Sequence, residues 1–464
     1  MPSQTTSETA ITWHPNVGDS GTIHAKRISG RFRTIKWLTA SLWLLFFIGP
    51  YLRWEGRQAL LIDLPSRQFH IYGLTVHPHD IWVLTFIMIF FAMLLVAATL
   101  LAGRVFCGYF CFQTVWTDLY TWIEEKIEGQ PRARHALDNS PWNINKLSRK
   151  GLKHGLWLAI AMLTGVSFAA WFTDAFQLWS DYFSLQAHIS AWITLGMFTA
   201  GTYLLAGFMR EQVCFWLCPY ARIQGVLSDH NSVLPTYDYR RGEPRGKREL
   251  ETVVNEKGDC VDCDQCLVVC PTGIDIRDGQ QLGCITCGLC IDACNSVMKK
   301  IDRSTGLIRY ASLNEMQNTP QIRMRQRPMV LVSFAMLMTC VAFVAYGLTN
   351  ITPIEMSVEP ERQPMFVKMS DGSIQNSYQV RIFNKGSEPS RHYVTLNQTE
   401  HATLISPVQT IVTKPGAMSS VRLFVKIPQA KLDQAKQAIT FTITNADDQS
   451  DKYNYQSYFT GPKR

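Results

Sequence analysis

Disulfide chemistry is what the sequence has least material for. Its 13 cysteines are an odd number spread over 464 residues, which excludes a small disulfide scaffold. None falls between Val358 and Arg464. Charge is sparse at 18% of residues, and the net balance of +8 is accompanied by no nucleic-acid-binding motif, so no nucleic-acid partner is expected. The segment ahead of Arg31 is polar and the first apolar run ends without a small-residue cleavage pattern, so no cleaved signal peptide is expected. Aromatic side chains are plentiful: 24 Phe, 16 Tyr and 13 Trp supply ample apolar surface and exclude disorder. A mean hydropathy of −0.02 is therefore an average of very apolar and very polar segments. The length allows about three domains at ~150 residues each.

Five runs are long and apolar enough to span a bilayer, which takes roughly 17–25 residues per helix. They are Ile35–Leu52, Ile81–Leu101, Gly155–Phe172, Ile189–Met209 and Met329–Leu348. Stretches such as IWVLTFIMIFFAMLLVAATLL lack the polar face of a helix buried in a soluble protein. The only charge in these runs is Lys36, at an edge from which it can reach headgroups. Lys and Arg set the orientation. They crowd the segment before the first run (Lys26, Arg27, Arg31, Arg33, Lys36), the loop from Ala102 to His154, and Arg210–Pro328, whereas Thr173–His188 has none. Five crossings with the N-terminus inside and the C-terminus outside satisfy that alternation.

The first outside loop, Arg53–Asp80, contains RQALLIDLPSRQFHIYGL, in which apolar stretches flank Leu64-Pro65-Ser66-Arg67 and suggest a short hairpin. His70, His77 and His79 lie in this loop. Ordinary loop histidines are the expected reading, and metal capture is the alternative.

Between Gly258 and Asn295 the chain reads GDCVDCDQCLVVCPTGIDIRDGQQLGCITCGLCIDACN. Cys260, Cys263, Cys266 and Cys270 follow C-x2-C-x2-C-x3-C-P; Cys284, Cys287, Cys290 and Cys294 repeat it without the proline. This is the spacing of bacterial two-cluster ferredoxins, in which the fourth cysteine of each run ligates the other cluster. One [4Fe-4S] cluster is thus assigned Cys260, Cys263, Cys266 and Cys294, and the second Cys270, Cys284, Cys287 and Cys290. Structural zinc, the alternative, is usually built from paired C-x2-C units with longer spacers. Reduced cysteines also suit the inner side that the charge asymmetry assigns to this segment.

A second constellation sits just past the second and fourth apolar runs. GRVFCGYFCFQTVWTDLY carries Cys107 and Cys111, and REQVCFWLCPYARIQGVL carries Cys214 and Cys218, a weak internal repeat. Residues i and i+4 share a helix face, so each C-x3-C pair is expected to aim two sulfurs at one place, and packing of the halves would bring four thiols together. Such a set suits copper(I) or zinc, or a reversible dithiol pair; four packing cysteines are the alternative. Cys340, with Met336 and Met338 nearby, reads as packing in the fifth run, with a metal path as the lesser reading.

From Val358 onward β-patterns recur: Tyr378, Val380 and Ile382 alternate with polar residues before the turn Asn384-Lys385-Gly386, and His392–Leu396, Val421–Ile427 and Ile439–Thr444 continue the series. An immunoglobulin-like sandwich without an inter-sheet disulfide fits. No nucleophile–base constellation accompanies it, so docking is a more natural role than catalysis. The expected fold is a multidomain membrane protein with a five-helix transmembrane bundle, a two-[4Fe-4S] ferredoxin-like module and an all-β C-terminal sandwich. The boundaries are an N-terminal segment 1–34, helices one to four with the C-x3-C motifs 35–224, the ferredoxin domain 225–328, the fifth helix 329–349 and the sandwich 350–464.

Through GRFRTIKW, RQALLIDLPSRQFHIYGL, CGYFCFQTVWTD, VCFWLCPYARIQG and CPTGIDIRDG, the chain resembles the cytochrome c oxidase accessory protein family, CcoG, also called FixG or RdxA. The resemblance implies a bacterial inner-membrane protein with its N-terminus and ferredoxin domain in the cytoplasm and its C-terminal domain in the periplasm. It implies a reductase converting Cu(II) to Cu(I) for assembly of cbb3-type oxidase, with copper held transiently at Cys107, Cys111, Cys214 and Cys218. Partners would be an unidentified cytosolic electron donor, copper chaperones, and oxidase subunits or assembly factors. The family's first membrane motif commonly reads C-x3-C-P; Phe112 replaces that proline here, so the local helix break is expected to differ. A quinol dehydrogenase resembling the membrane ferredoxins of anaerobic respiration and a non-enzymatic assembly scaffold are the competing readings.

Overall fold

A computed structural model of the chain describes residues 23, 25–54, 56–65, 68–72, 74–76, 81–246, 257–320, 324–349, 354–361, 363–386, 389–397, 401–432, 434–446 and 452–462. They form two compact units, one from the described parts of Met1–Tyr51 and Leu84–Val344, the other from those of Leu52–Val83 and Ala345–Arg464.

The first unit is helical. Five helical segments among the described residues are long and apolar enough to cross a membrane: Arg31–Tyr51, Trp82–Ala102, Ile144–Ala169, Ile189–Met209 and Pro328–Gly347. The first is interrupted, with α1 (Arg31–Ser41) and α2 (Leu44–Ile48) followed by a tight 3-10 turn at Gly49–Tyr51, where Pro50 cannot prolong the hydrogen-bond ladder. The second span lies within α3 (Ile81–Ala102). After it come α4 (Val105–Tyr109), the amphipathic α5 (Phe112–Glu128) and α6 (Pro131–Asn139). The third span, α7 (Ile144–Ala169), starts well before the apolar run at Gly155. The Asn143 side chain accepts the Lys146 N–H at 2.7 Å, and this cap starts a polar front turn that hydrophobicity alone does not detect. Short α8 (Ala175–Phe183) leads to α9 (Ile189–Leu204), which closes in a wide π-turn at Leu205–Met209, and α10 (Pro219–Leu227) follows.

The cysteine-rich module is threaded between two strands, β6 (Leu234–Tyr237) and β7 (Ile308–Ala311), numbered after the five strands of the second unit's early segment and paired antiparallel. Between them lie α11 (Tyr239–Gly242), α12 (Gln265–Val268) and α13 (Leu289–Lys300); α14 (Leu313–Met316) and the fifth span, α15 (Pro328–Thr349), come after β7. The module is tied to the first span by a charge at a helix start: Asp292 of α13 accepts the Phe32 and Arg33 N–H groups at 2.9 and 3.2 Å, satisfying two of α1's free donors.

In the second unit, β1 (Arg53–Trp54) pairs with β2 (Arg57–Gln58), and β3 (Leu60–Asp63), β4 (Gln68–Ile71) and β5 (Leu74–Val76) form a meander. The expected hairpin is present, with Asp63 opposite Gln68; Ser66, Arg67, His77 and His79 lie outside the described residues. The C-terminal part is a sandwich of antiparallel sheets. One contains β8 (Ile354–Pro360), β9 (Val367–Lys368), β10 (Ser373–Asn384), β12 (Thr403–Ile405) and β14 (Met418–Pro428). The other contains β11 (Ser390–Asn397), β13 (Ile411–Thr413), β15 (Lys436–Asn445) and β16 (Lys452–Thr460). Tyr378, Val380 and Ile382 point inward at alternate positions of β10, against Leu423, Phe441 and Ile443. Tyr378 also donates its hydroxyl to the Tyr458 carbonyl at 2.9 Å, so this buried polar atom is satisfied across the sandwich. The core holds without a disulfide, since no cysteine falls between Val358 and Arg464.

Phe441 is fully buried beside Tyr378, so Phe441→Ala should destabilise the sandwich by about 3–5 kcal/mol. Tyr378→Phe should cost about 1 kcal/mol or somewhat more. Urea unfolding followed by proteolysis of the C-terminal unit tests the pair: equal, negligible shifts would contradict the assigned core.

Candidate metal centres

The two cysteine runs fold as structural repeats. In each, the residues two and four places after the first cysteine have positive φ: Asp262 and Asp264 at 52° and 55°, Thr286 and Gly288 at 57° and 71°. Asp and Gly tolerate this conformation, but a β-branched Thr does not adopt it freely. Thr286 is held there by contacts: its Oγ1 accepts the Arg104 N–H at 3.1 Å and its carbonyl accepts the Tyr310 hydroxyl at 2.7 Å. Asp264 and Gly288 then open α12 and α13, which carry Cys266 and Cys290.

These turns gather the cysteines in crossed sets. One cavity of about 360 Å³ is lined by Cys260, Cys263, Cys266 and Cys294. A second, of about 350 Å³, is lined by Cys270, Cys284, Cys287 and Cys290, with Cys266 at its edge. Cys294 has Cys260 and Cys263 as electrostatic neighbours, whereas Cys290 has Cys287, Cys284 and Cys270 and, after them, Cys266. Four soft donors around each cavity fit an iron–sulfur cluster. Arg277 braces the first set, pairing with Asp262, Asp264 and Asp275 at 2.7, 2.7 and 2.6 Å. Spacing arguments over cysteines do not find this residue, although its place in IDIRDG is visible in the sequence.

The membrane-boundary pairs do not each lie on one continuous helix, which corrects the expectation of a shared i, i+4 face. Cys107 sits in α4 and Cys214 in a π-turn at Val213–Leu217, but Cys111 and Cys218 are extended residues at the starts of α5 and α10. Pro219 explains the second break, because it pushes the preceding residue out of the helical region. The first break has the same form without proline: the Cys111 and Cys218 N–H groups donate to carbonyls five residues back, Phe106 and Val213, each at 2.9 Å. With Phe112 after it, the first turn thus has the same form as the proline-bearing second one, where a different break was expected.

The two halves do meet. Cys107 has Cys111 and Cys218 as electrostatic neighbours, and Cys214 has Cys111, Cys107 and Cys218. Cys107 donates its S–H to Gln224 Oε1 of α10 at 3.2 Å, and the fully buried Gln224 donates onward to Thr99 at 3.2 Å. Burial pushes the Cys107 and Cys214 thiols up to about 11 and about 12, opposed by the Arg104 guanidinium. Among the described residues, no three Cys, His, Asp or Glu side chains already converge on a single ion position, so the four thiols are neighbours without being a closed ligand set.

Arg104, Gly108 and Tyr109 join the boundary thiols to the cysteine module, and sequence reasoning missed all three. Arg104 donates to the Leu282 carbonyl at 2.6 Å, and Tyr109 donates its hydroxyl to the Cys287 carbonyl at 3.0 Å. A side chain at Gly108 would stand 2.5 Å from the Ile285 oxygen and 3.2 Å from the Cys287 backbone. Glycine is what allows the C-x3-C turn to lie directly against the loop bearing Cys287. Elsewhere, Cys340 is buried while Met336 and Met338 are exposed, so they do not form one cluster, and His70 lies in β4 opposite Thr75.

Helix α5 holds this assembly by charge. Burial alone would raise the Asp118 carboxyl, but Lys36, Arg33 and Arg27 outweigh it and hold it at about 2. Glu124, also buried, is held at about 2 by Arg210, Lys153 and Arg134. Arg27 and Arg33 reach Asp118 at 2.7 and 2.9 Å, and Arg134 and Arg210 reach Glu124 at 2.9 and 3.0 Å.

Comparison with known proteins agrees with this layout. A model described as "4Fe-4S dicluster domain" matches residues 209–313, "4Fe-4S binding domain" matches 84–129, and "IG-like fold at C-terminal of FixG" matches 344–462. The nitrogen fixation protein FixG of Rhizobium meliloti is 36% identical over 95% of this chain and 93% of its own. The chain belongs to the FixG family. Protein RdxA of Cereibacter sphaeroides is 39% identical over 92% of this chain and 93% of its own. The ferredoxin-type protein NapH of Haemophilus influenzae is 25% identical over 44% of this chain and 63% of its own. This FixG-family chain is thus a multi-pass iron–sulfur electron-transfer protein.

Glu124→Gln would take from Arg134, Lys153 and Arg210 the carboxylate they share, leaving Lys153 its Glu128 partner, and breaking such a site costs about 3–5 kcal/mol, read as a lower melting temperature in detergent. Both depressed carboxyls stabilise the fold in ionised form. Their contribution is complete above the unfolded values near 4 and is lost as pH falls toward about 2. Tryptophan fluorescence should report acid loosening in that window, and Asp118→Asn should flatten it; an unchanged acid limb would contradict the assignment.

Proposed function

We propose that this FixG-family chain reduces Cu(II) to Cu(I) in support of the assembly of a cbb3-type cytochrome c oxidase, with copper as the substrate of Cys107, Cys111, Cys214 and Cys218. The observation that carries the reading is the close approach of Gly108 to Ile285 and Cys287, which sets a C-x3-C turn against the module's own cysteine loop. In this reading Cys260, Cys263, Cys266 and Cys294 hold one [4Fe-4S] cluster, and Cys270, Cys284, Cys287 and Cys290 hold the other. Such clusters supply single electrons when bound, which matches the one-electron change between Cu(II) and Cu(I).

The chain's residues then do three things. Thiolates prefer the softer reduced ion, so the boundary set favours the product oxidation state. Ligation requires the thiols to lose their protons; Arg104 eases that loss, and Gln224 orients Cys107 until it occurs. Burial at the membrane boundary keeps bulk water from competing for the metal. Copper closes the ligand set as it binds.

The charge asymmetry supports an inner-membrane placement with the N-terminus and cysteine module in the cytoplasm and the sandwich in the periplasm. The gathering of Leu52–Val83 with Ala345–Arg464 in one unit is in keeping with it, since both segments are assigned to the outer side. A cytosolic one-electron donor would serve the module, and copper chaperones or oxidase assembly factors would take the product. The C-terminal domain's family description groups FixG with candidate oxidoreductases. Similarity to the ferredoxin-type protein NapH is in keeping with a second reading, a membrane electron-transfer ferredoxin, and quinol titration of the clusters would test whether its electrons enter from a membrane quinol.

Anaerobically purified protein whose clusters have been pre-reduced with dithionite, the excess then removed, should reduce Cu(II) by one electron per ion, detected with a Cu(I)-specific chelator. Cys214→Ala/Cys218→Ala should bring the rate to background with iron content intact. Gly108→Val should slow reduction, again with iron retained. Undiminished reduction by the double variant would remove that pair from the site.

A further inference from the structure

The first unit contains a partly open pocket, bordered by Cys214, whose other lining residues have no role in the copper reading. It lies where α1 and α5 meet the cysteine module. Four cations line it: Arg27, Arg33, Lys36 and Arg210. The carboxyls on its wall are Asp118, already shared by Arg27, Arg33 and Lys36, and Glu211, which burial pushes toward its neutral form. The wall therefore carries more positive than negative charge.

Hydrogen-bond acceptors are short there as well. Arg33 and Arg210 are more than nine-tenths buried, and each keeps a guanidinium nitrogen, Nε of Arg33 and Nη1 of Arg210, with no acceptor. A buried donor left unpaired costs about 1–3 kcal/mol, and in a native protein two of them beside one cavity point to an acceptor that belongs there. Apolar side chains of the cysteine module, Val269, Pro271, Ile285 and Leu289, also line the pocket. Cationic donors and apolar side chains in one pocket, at the start of the first membrane span, match a headgroup phosphate with its acyl chains alongside. Basic pockets at membrane-helix ends take anionic lipid in this way.

We propose that this cavity binds a phosphate group, with Arg33 and Arg210 donating to its oxygens and Arg27 and Lys36 supplying charge. Cys214 also lines the cavity, so the occupant sits beside a boundary thiol and seals it from water. The proposal requires no copper chemistry, and its test can fail or succeed independently of that reading.

The experiment uses the full chain, delipidated in dodecyl maltoside. Radiolabelled inorganic phosphate in equilibrium dialysis should bind saturably at one per chain. Arg33→Gln should weaken binding roughly tenfold or more, as expected for a lost charge-assisted contact. Because Arg33 also pairs with Asp118, Thr117→Glu provides a second variant that places a negative charge on the wall without removing an ion pair, and it should weaken binding similarly. Displacement by phosphatidylglycerol would identify a lipid headgroup as the natural source. Retention of phosphate against that lipid would identify a soluble phosphate compound. Absence of saturable binding of both probes to the unmodified chain, or binding unchanged in both variants, would overturn the proposal.

Discussion

Two carboxylates on one amphipathic helix hold the membrane-boundary region together. Asp118 and Glu124 each pair with three cations that arrive from elsewhere in the chain: the N-terminal segment and α1, α6, α7, and the end of the fourth span. Bringing that many charges out of water is unfavourable unless each finds its partner. Helix α5 is therefore fixed in place by its neighbours, and Cys111, at its first turn, is fixed with it. The cation excess also reaches Cys107 and Cys214 through Arg104, where it opposes the effect of burial on the thiols.

The second constraint is steric. The C-x3-C turn can touch the Cys287 loop only because residue 108 has no side chain, and the module is held at that distance by Tyr109, Arg104 and Asp292. On the proposed reading, electron transfer and metal capture share one framework, with soft donors on both sides of a short, packed boundary. Cooperation between the two cysteine systems is built into their packing.

Much of this was legible from residue patterns. Apolar runs located the five spans, since a bilayer demands length and apolarity regardless of tertiary context. Alternation at Tyr378, Val380 and Ile382 located the sandwich, and cysteine spacing singled out the eight cysteines that line the module's two pockets. What escaped depends on long-range partners. The front of α7 is polar and begins at an Asn143 cap, so hydropathy starts the helix too late. The break at Cys111 has no proline to announce it, and shape rather than sequence makes it match the break at Cys218. Gln224 reads as an ordinary polar residue in a short helix until the fold places it against Cys107. The expectation of paired sulfurs on a common helical face failed because both motifs straddle a turn.

The account stands on the cysteine module and the boundary thiols acting as one electron path. Stopped-flow spectroscopy tests this most directly: pre-reduced protein is mixed anaerobically with Cu(II), and the iron–sulfur absorbance is followed together with Cu(I) formation. The account predicts cluster reoxidation and Cu(I) appearance at the same rate, one electron for each ion. Cu(I) formed while the iron–sulfur absorbance stays constant would contradict it.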